Sequence, residues 1–329
     1  MRFLIIAAAL SVSACATTPP PSCDLSAEDR AWIDASLDAW RFSAREITGV
    51  SVVRPLEAVF FDDDCVIQSA NAFTADNAAD VIWSTVPHNG EVSLPDGGTL
   101  PTGVTSFASA DEARAFFVMS TPSVWRAAGV GNDALGLEVM MTGVLLHEGT
   151  HVAQSATYGA RITAIIAANN LPDSFDDDAI QRRFEENTDF AASVERETEL
   201  LFEAVAAPDQ TAARRLAREA LEMMRARQAR WFVGPDAHLA EAENIWLTFE
   251  GSGQWVAYQW IVHPSGGGVD VPVATANFAR RGRWWSQKEG IALALVLDRF
   301  GGNEWRRHAL ADGQLTLAEM LDAALSRPE

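Results

Sequence analysis

Positive charge is scarce in this chain of 329 residues. It has 25 lysine and arginine residues against 45 aspartate and glutamate residues, which gives a formal net charge of −20 at pH 7. Nucleic acids and anionic membrane surfaces attract basic protein surfaces. The composition therefore argues against nucleic acid as a partner, and against binding to anionic lipid through surface charge.

Long apolar runs are also missing beyond the first residues. Residues 1–14, MRFLIIAAALSVSA, have one positive charge and then an apolar stretch that is too short to span a bilayer as a mature helix. This pattern predicts a signal peptide. No later segment is apolar enough to predict a membrane-spanning helix.

The end of this leader carries a further signal. Val12-Ser13-Ala14-Cys15 resembles the lipobox of bacterial lipoproteins, which implies that Cys15 is lipidated and anchors the chain to a membrane. Residues 15–23 contain consecutive prolines and are predicted to form a tether. Ala16 resembles the residue found there in outer-membrane lipoproteins, which implies a cell-envelope protein anchored in the outer membrane and facing the periplasm. A plain signal peptide is the alternative.

Cysteine is rare, with three residues in the chain. With Cys15 assigned to lipid, Cys23 and Cys65 remain, and an exported chain meets an oxidising compartment. We therefore expect a disulfide between them. Two free, buried thiols are the alternative, and neither cysteine has the spacing of a metal site.

The periodicity of the chain changes near residue 125. Residues 24–125 begin with a predicted helix over 27–45 and continue with strand-like stretches and turn signals: GVSVV, LEAVFF, CVIQSA, EVSL and ARAFFVMS. Residues 126–329 are dominated by helical periodicity, and no internal repeat is present. The sequence predicts an α+β fold, with a small N-terminal antiparallel sheet followed by a predominantly helical body.

Histidine is sparse, with six residues, but two of them form a motif. His147-Glu148-x-x-His151 lies in GLEVMMTGVLLHEGTHVAQSATYG, which has the period of a buried helix. At a spacing of four residues both imidazoles share one helix face and can bind one metal ion, with Glu148 beside it as a general base. The other histidines, His88, His238, His263 and His308, lack the spacing of a third ligand.

Two glutamate-bearing segments compete to supply that third ligand. The stretch ERETELLFEA offers Glu197 and Glu199 as candidates, about 45–50 residues after His151. The stretch IWLTFEGSGQW offers Glu250.

The second of these stretches resembles a known family. Trp-Leu-x-x-Glu-Gly-x-Gly-x-Trp is similar to the Glu-Gly helix of gluzincin peptidases, including the M1 aminopeptidases and the peptidase MA-like group. The resemblance implies Zn²⁺ held by His147, His151 and Glu250, a zincin-like body over 126–329, and a helical insertion at about 160–240. One extra residue between Trp-Leu and Glu-Gly, and the 98 residues separating His151 from Glu250, depart from the family pattern.

The same resemblance implies an activity. The protein is expected to be a zinc metallopeptidase that hydrolyses a peptide or protein substrate through a zinc-bound water, with Glu148 as general base. In this interpretation Glu197 or Glu199 is a hydrogen-bond partner of a ligand histidine. The strand around Phe116–Val118 is expected to hold an extended peptide by edge pairing.

Tyrosine is nearly absent, with Tyr158 and Tyr258 alone. Peptide hydrolysis needs a donor for the developing oxyanion. Tyr258, His263 and Lys288 are the candidates, and a packing role for Tyr258 is the alternative.

Tryptophan is abundant by comparison, with 11 residues, and supports a different interpretation. Aromatic platforms bind sugars, so the alternative is a non-catalytic envelope lipoprotein that binds glycan or a protein partner and has a structural or degenerate metal site. The candidate platforms are Trp246, Trp255, Trp260, Trp284 and Trp285.

Overall fold

The computed structural model describes residues 23–49, 54–111, 113–172, 174–281, 283–300 and 302–327. The α+β prediction is confirmed, because a five-stranded sheet in the N-terminal region is followed by helices. The predicted leader, the lipidation site Cys15 and most of the GVSVV stretch lie outside the described residues. No helix in the described ranges combines the length and apolarity needed to cross a membrane.

The strands of the N-terminal region fall into two sheets. They are β1 (Glu57–Phe61), β2 (Cys65–Ser69), β3 (Trp83–Pro87), β4 (Glu91–Ser93), β5 (Thr99–Pro101), β6 (Ser106–Ala110) and β7 (Ala115–Ser120). The larger sheet has the order β3-β2-β1-β7-β6, and β4 and β5 form a separate hairpin.

The larger sheet is mixed, which corrects the prediction of a wholly antiparallel sheet. Its pairs are antiparallel except for β1 and β7, which run parallel with Val59 opposite Val118. The reason is that the chain leaves β1 on one side through β2 and β3, and returns on the other side through the β6–β7 hairpin. A parallel pair requires such a crossover. As a result β7 is an interior strand and β6 is the edge.

Both faces of the sheet are covered. On one face Phe60, Phe117 and Met119 join the main core, and Trp32 of the first helix meets Phe60 edge-on at 5.9 Å between ring centroids. On the other face Phe61 packs in a smaller apolar cluster with Val92 of the β4–β5 hairpin. Such double coverage explains why the sequences of β1 and β7 are almost continuously apolar.

A disulfide joins Cys23 to Cys65, with 5.8 Å between the Cα atoms. It connects the segment before the first helix to the start of β2. The bond therefore ties the N-terminal end of the described chain to the sheet.

Helices form the rest of the molecule. They are α1 (Ala27–Phe42), α2 (Pro122–Ala127), α3 (Leu137–Gln154), α4 (Ala160–Asn169), α5 (Ala179–Phe184), α6 (Thr188–Ala206), α7 (Gln210–Trp231), α8 (Leu239–Val262), α9 (Val271–Arg281), α10 (Trp285–Phe300), α11 (Glu304–Arg307) and α12 (Leu317–Ser326). The central packing runs from α3 to α8, from α8 to α10, and from α10 to α6, which also packs on α7.

Helix α8 is continuous, although its glycines suggest a bend at Gly251 or Gly253. The glycines serve close approach instead. A Cβ atom on Gly251 would lie 2.4 Å from the backbone carbonyl of Gly290 in α10, and one on Gly290 would lie 2.5 Å from the carbonyl oxygen of Leu247. Helices α8 and α10 therefore cross with their backbones nearly in contact, which no residue larger than glycine allows.

Replacing Gly251 by alanine is expected to lower the free energy of unfolding by at least about 1–3 kcal/mol, because the added methyl group must push the two backbones apart. Urea denaturation in the presence of a chelator measures this apart from metal binding. Gly159→Ala is the matched control, since its backbone is helical and its nearest neighbour would be 3.7 Å away. Equal stability of the two variants would contradict the crossing.

Candidate metal centre

Helix α3 carries the two histidines at its buried centre. Residues 145–150 of this helix are all buried, so the helix is held by tertiary packing. Gly149, between the histidines, faces the opposite way, and a Cβ atom there would lie 3.1 Å from the indole nitrogen of Trp40. The small residue lets α1 press on α3 and leaves His147 and His151 directed toward α8.

Glu250 of α8 meets both histidines. The two Nε2 atoms are 2.8 Å apart, Glu250 Oε2 lies 3.2 Å from Nε2 of His147, and Glu250 Oε1 lies 3.1 Å from Nε2 of His151. All three side chains are at most 10% exposed. The structure thus brings together the two histidines of the motif and the glutamate that the family resemblance assigns to them.

The donor set fits a zinc ion. Two imidazoles and one carboxylate are typical ligands of zinc, and zinc bonds of 2.0–2.1 Å place tetrahedral donors about 3.3 Å apart. The observed separations of 2.8–3.2 Å are within a few tenths of an ångström of this value. Glu250 Oε2 is buried and has no aligned hydrogen-bond donor among the described residues. An orphaned buried oxygen is costly, and a cation at this point would satisfy it.

Residues of α8 close to Glu250 form the rest of the centre. Phe249 stacks on His151, with 4.1 Å between ring centroids and 11° between the planes. Gly253 makes room for His147, because a Cβ atom there would lie 2.7 Å from Nδ1 of that ring. The Glu-Gly-x-Gly stretch therefore provides a candidate metal ligand, lets α8 cross close to α10, and leaves space for the ring of His147.

Burial and charge oppose each other in this centre. Burial raises the pKa of Glu250, but the neighbouring His151 and His147 outweigh it and hold that pKa well below its ordinary value. Burial lowers the pKa of His147, but the carboxylate of Glu250 more than offsets this and raises it. The Glu250 carboxylate and the protonated form of His147 thus stabilise each other, and a divalent cation can take the place of that positive charge.

Glu148 lies beside the centre at the sheet edge. It is 9% exposed, and burial raises the pKa of its carboxyl group above the ordinary value, while His147 and His151 oppose this rise. The backbone N–H of Ala108 in β6 faces this carboxylate and lowers its pKa. This places Glu148 between the metal ligands and the edge strand.

A cavity of about 340 Å³ opens next to Glu148 and His147. Strand β6 contributes Ser106 to its wall, and α3, α8, α9 and α10 contribute most of the remainder. The predicted peptide-binding strand, Phe116–Val118, is wrong in this role because it lies in β7, which is paired on both sides. The sheet edge beside α3 belongs to β6.

No family model, curated protein or solved structure matches this chain. What the centre can do therefore has to follow from its own geometry.

The alternative ligands lie elsewhere. Glu199 is exposed and pairs with Arg196 at 3.1 Å. Glu197 is fully buried and accepts three hydrogen bonds of 2.8–3.0 Å from Arg227. Both glutamates pair with arginines instead, so the prediction that either residue supports a ligand histidine is wrong. The sequence around Glu197 gives no sign of its partner, Arg227, thirty residues away.

Arg227 is the centre of a buried cluster, called here the Arg227 cluster. It consists of Arg227 with Glu197, Glu243 at 2.7 Å and Glu289 at 3.9 Å. Burial, and then the charge of Glu197, raise the pKa of Glu289 well above its ordinary value. The cluster joins α6, α7, α8 and α10 behind the metal centre.

The oxyanion candidates separate clearly. The Tyr258 hydroxyl forms a hydrogen bond with Thr275 Oγ1, at 2.9 Å, and Tyr258 does not line the cavity. His263 follows the end of α8, where its Nδ1 accepts a hydrogen bond from the backbone N–H of Ser265. Lys288 lines the cavity. Of the three, the structure brings Lys288 alone to the wall that holds Glu148.

Four amide side chains of the cavity wall were not predicted. They are Asn132, Gln254, Asn277 and Gln287. Gln254 follows Glu250 by one helical turn, so the spacing of α8 could have indicated it. The other three are brought to the cavity by long-range packing.

The candidate sugar platforms do not form a row. Trp255 is fully buried against Trp305, and Trp285 stacks on Phe190. Trp246 packs edge-on against Phe249 of the metal centre. The tryptophans therefore serve local packing at several separate places.

Asp177 is a further residue that was not predicted. It lies in the turn before α5, where burial, and then the charge of Glu250, raise its pKa to about 8. Its carboxyl group is therefore close enough to the metal centre to respond to its charge.

Substituting Glu250 by glutamine is expected to remove zinc from the purified protein, because the anionic ligand is lost while the size of the side chain is kept. The wild type is expected to hold one zinc ion per chain. Mass spectrometry of metal content after zinc loading and dialysis measures both. Glu199→Gln removes an exposed carboxylate and should leave the zinc content unchanged; a loss in both variants, or in neither, would contradict the assignment.

Asp177 predicts a pH dependence of stability in chelated protein. The native carboxyl holds its proton up to about pH 8, whereas the unfolded one loses it near 3.8. Unfolding then releases a proton between these values, so stability falls as the pH rises through this window. The stability of Asp177→Asn relative to the wild type should grow from pH 4 to pH 8 in denaturation curves. Asp63→Asn, in the exposed β1–β2 turn, should show no such growth; a flat Asp177→Asn difference would refute the effect.

Proposed function

We propose that this protein is a zinc-dependent metallopeptidase of the gluzincin type, with His147, His151 and Glu250 as metal ligands. The observation that carries the proposal is the meeting of these three buried side chains beside Glu148. The resemblance of the His-Glu-x-x-His and Glu-Gly helices to gluzincin peptidases supports it. Glu250 reaches the site from α8, across the 98 residues that set this sequence apart from the family pattern.

The chemistry divides between the ion and the chain. When bound, zinc acts as a Lewis acid that polarises an amide carbonyl and lowers the pKa of water. Glu148 accepts the proton of the attacking water as the oxygen bonds to the carbonyl carbon. It then passes that proton to the amide nitrogen as the carbon–nitrogen bond breaks. Its raised pKa suits a group that must both take and return a proton.

The edge strand β6 is the proposed binding surface for the substrate backbone. An extended peptide can pair with a free strand edge through main-chain hydrogen bonds. Because the Ala108 N–H contacts Glu148, a peptide on this edge lies within reach of the general base. The cavity beside His147 then accepts the side chains of the peptide residues that follow the scissile bond.

The cell envelope is the proposed location, with a lipid anchor at Cys15. The disulfide between Cys23 and Cys65 supports an oxidising compartment, where such bonds persist. The leader of residues 1–14 supports export.

Glu148→Gln is expected to keep zinc but to lower the rate of peptide cleavage by at least about 100-fold, because the proton acceptor is lost. Cleavage of a broad peptide library and the zinc content of the same samples measure the two effects. Glu138→Gln is the control on the same helix, since Glu138 is half exposed and pairs with Arg126.

Full cleavage by Glu148→Gln would overturn the assignment of the base. If the wild type bound zinc, cleaved no peptide and unfolded on chelation, the metal would be structural. That outcome would favour the non-catalytic envelope lipoprotein.

A further inference from the structure

The cavity beside Glu148 contains an unusual cation. Lys288, on α10, is the one lysine of the chain. Its side chain is partly buried in the wall that also holds Glu148 and His147. In the described part of the chain no carboxylate forms an ion pair with its ammonium group.

This lack of a partner is notable in a protein with a net charge of −20. Two other buried or partly buried cations are paired, Arg227 with Glu197 and Arg306 with Asp298 at 2.8 Å. A partly buried cation loses hydration, and an anion that reaches it restores the loss. Lysine also presents a compact point charge on a long apolar stem that can lie along a cavity wall. Lys288 therefore presents an unneutralised charge to whatever enters the cavity.

The rest of the cavity wall indicates which chemical group is attached to that anion in the ligand. Four amide side chains lie in this wall, and most of the other surface is apolar: Leu135, Met140, Val144, Ala257, Ile261, Phe278 and Ile291. A volume of about 340 Å³ is at the low end for ligand sites and suits one or two amino-acid residues. A single carboxylate attached to an apolar group matches this combination of charge, amides and apolar surface.

We infer that the cavity receives the carboxy-terminal residue of a peptide and that Lys288 binds its α-carboxylate. The inference rests on the proposed peptidase function and narrows the substrate class to peptides cleaved close to a free carboxy terminus, with an apolar last residue. Lys288 is then a specificity residue. Stabilisation of the oxyanion by Lys288 would not distinguish a free carboxy terminus from a carboxamide.

Binding to Glu148→Gln protein loaded with zinc tests the inference without turnover. One probe is a pool of random tetrapeptides with free carboxy termini, and the other is the same pool as carboxamides. Retention on immobilised protein, read by mass spectrometry, gives the relative affinities. We expect free acids with apolar last residues to bind about tenfold more tightly than their amides, the range of a hydrogen bond to a charged group.

Three variants in the Glu148→Gln background give the controls. Lys288→Met keeps the length of the side chain and should abolish the preference for acids over amides. Lys288→Arg keeps the charge and should retain part of it. Arg215→Met removes an equal charge from an exposed site on α7, where Arg215 pairs with Glu219, and should leave the preference unchanged.

Several outcomes would overturn the inference. They are equal retention of acids and amides by the parent protein, no retention of either pool, or the same preference after Lys288→Met. Enrichment of amides that carry aspartate or glutamate would show a side-chain carboxylate as the ligand and would also overturn it. Because binding is read in the absence of turnover, each result is independent of whether Glu148 is the catalytic base.

Discussion

The close crossing of α8 and α10 is the constraint on which the rest of the helical body depends. Gly251 and Gly290 let the two backbones touch, and this fixes the rotation of α8 about its axis. With one face of α8 set against α10, Glu250 must point toward α3, where His147 fits over Gly253. The same crossing brings Lys288 of α10 to the cavity that contains Glu148. The proposed metal ligands, the proposed general base and the cavity wall are thus positioned by one contact between two helices.

Helix α8 also carries a second buried carboxylate. Comparing its surroundings with those of Glu250 explains the charge balance of the interior. Glu243 precedes Glu250 by two turns, about 10 Å along the helix. In the Arg227 cluster a permanent guanidinium pairs with Glu197 and Glu243, and Glu289 is driven toward its neutral form. Among the described residues, the basic side chains that contact Glu250 are the two histidines, while Glu148 and Asp177 add acid nearby. The chain's own Arg227 supplies the cation at Glu243, whereas the position of Glu250 is suited to bind a divalent metal ion.

Local patterns were enough to predict part of this arrangement. The spacing of His147 and His151 places them on one helix face in any helix, and the Glu-Gly stretch indicated Glu250 through its resemblance to a family. Helices and strands also followed from periodicity. The role of Gly251 could not be decided in this way, because glycine in a helix is compatible with a bend, a cap or a close approach. Glu197 was misassigned for a similar reason, since its partner Arg227 belongs to another helix.

The edge strand shows most clearly what depends on the path of the whole chain. The apolar run around Phe116–Val118 is a good strand, but whether a strand is interior depends on what returns beside it, and β6 takes that place through an ordinary hairpin. This has a consequence for substrate direction. Ser106, at the start of β6, lines the cavity, and Ala108 lies at Glu148, so β6 runs away from the cavity past the proposed general base. A peptide paired with β6 whose last residue enters the cavity must run the opposite way. Its pairing with β6 is therefore antiparallel, and its scissile bond lies opposite the middle of the strand.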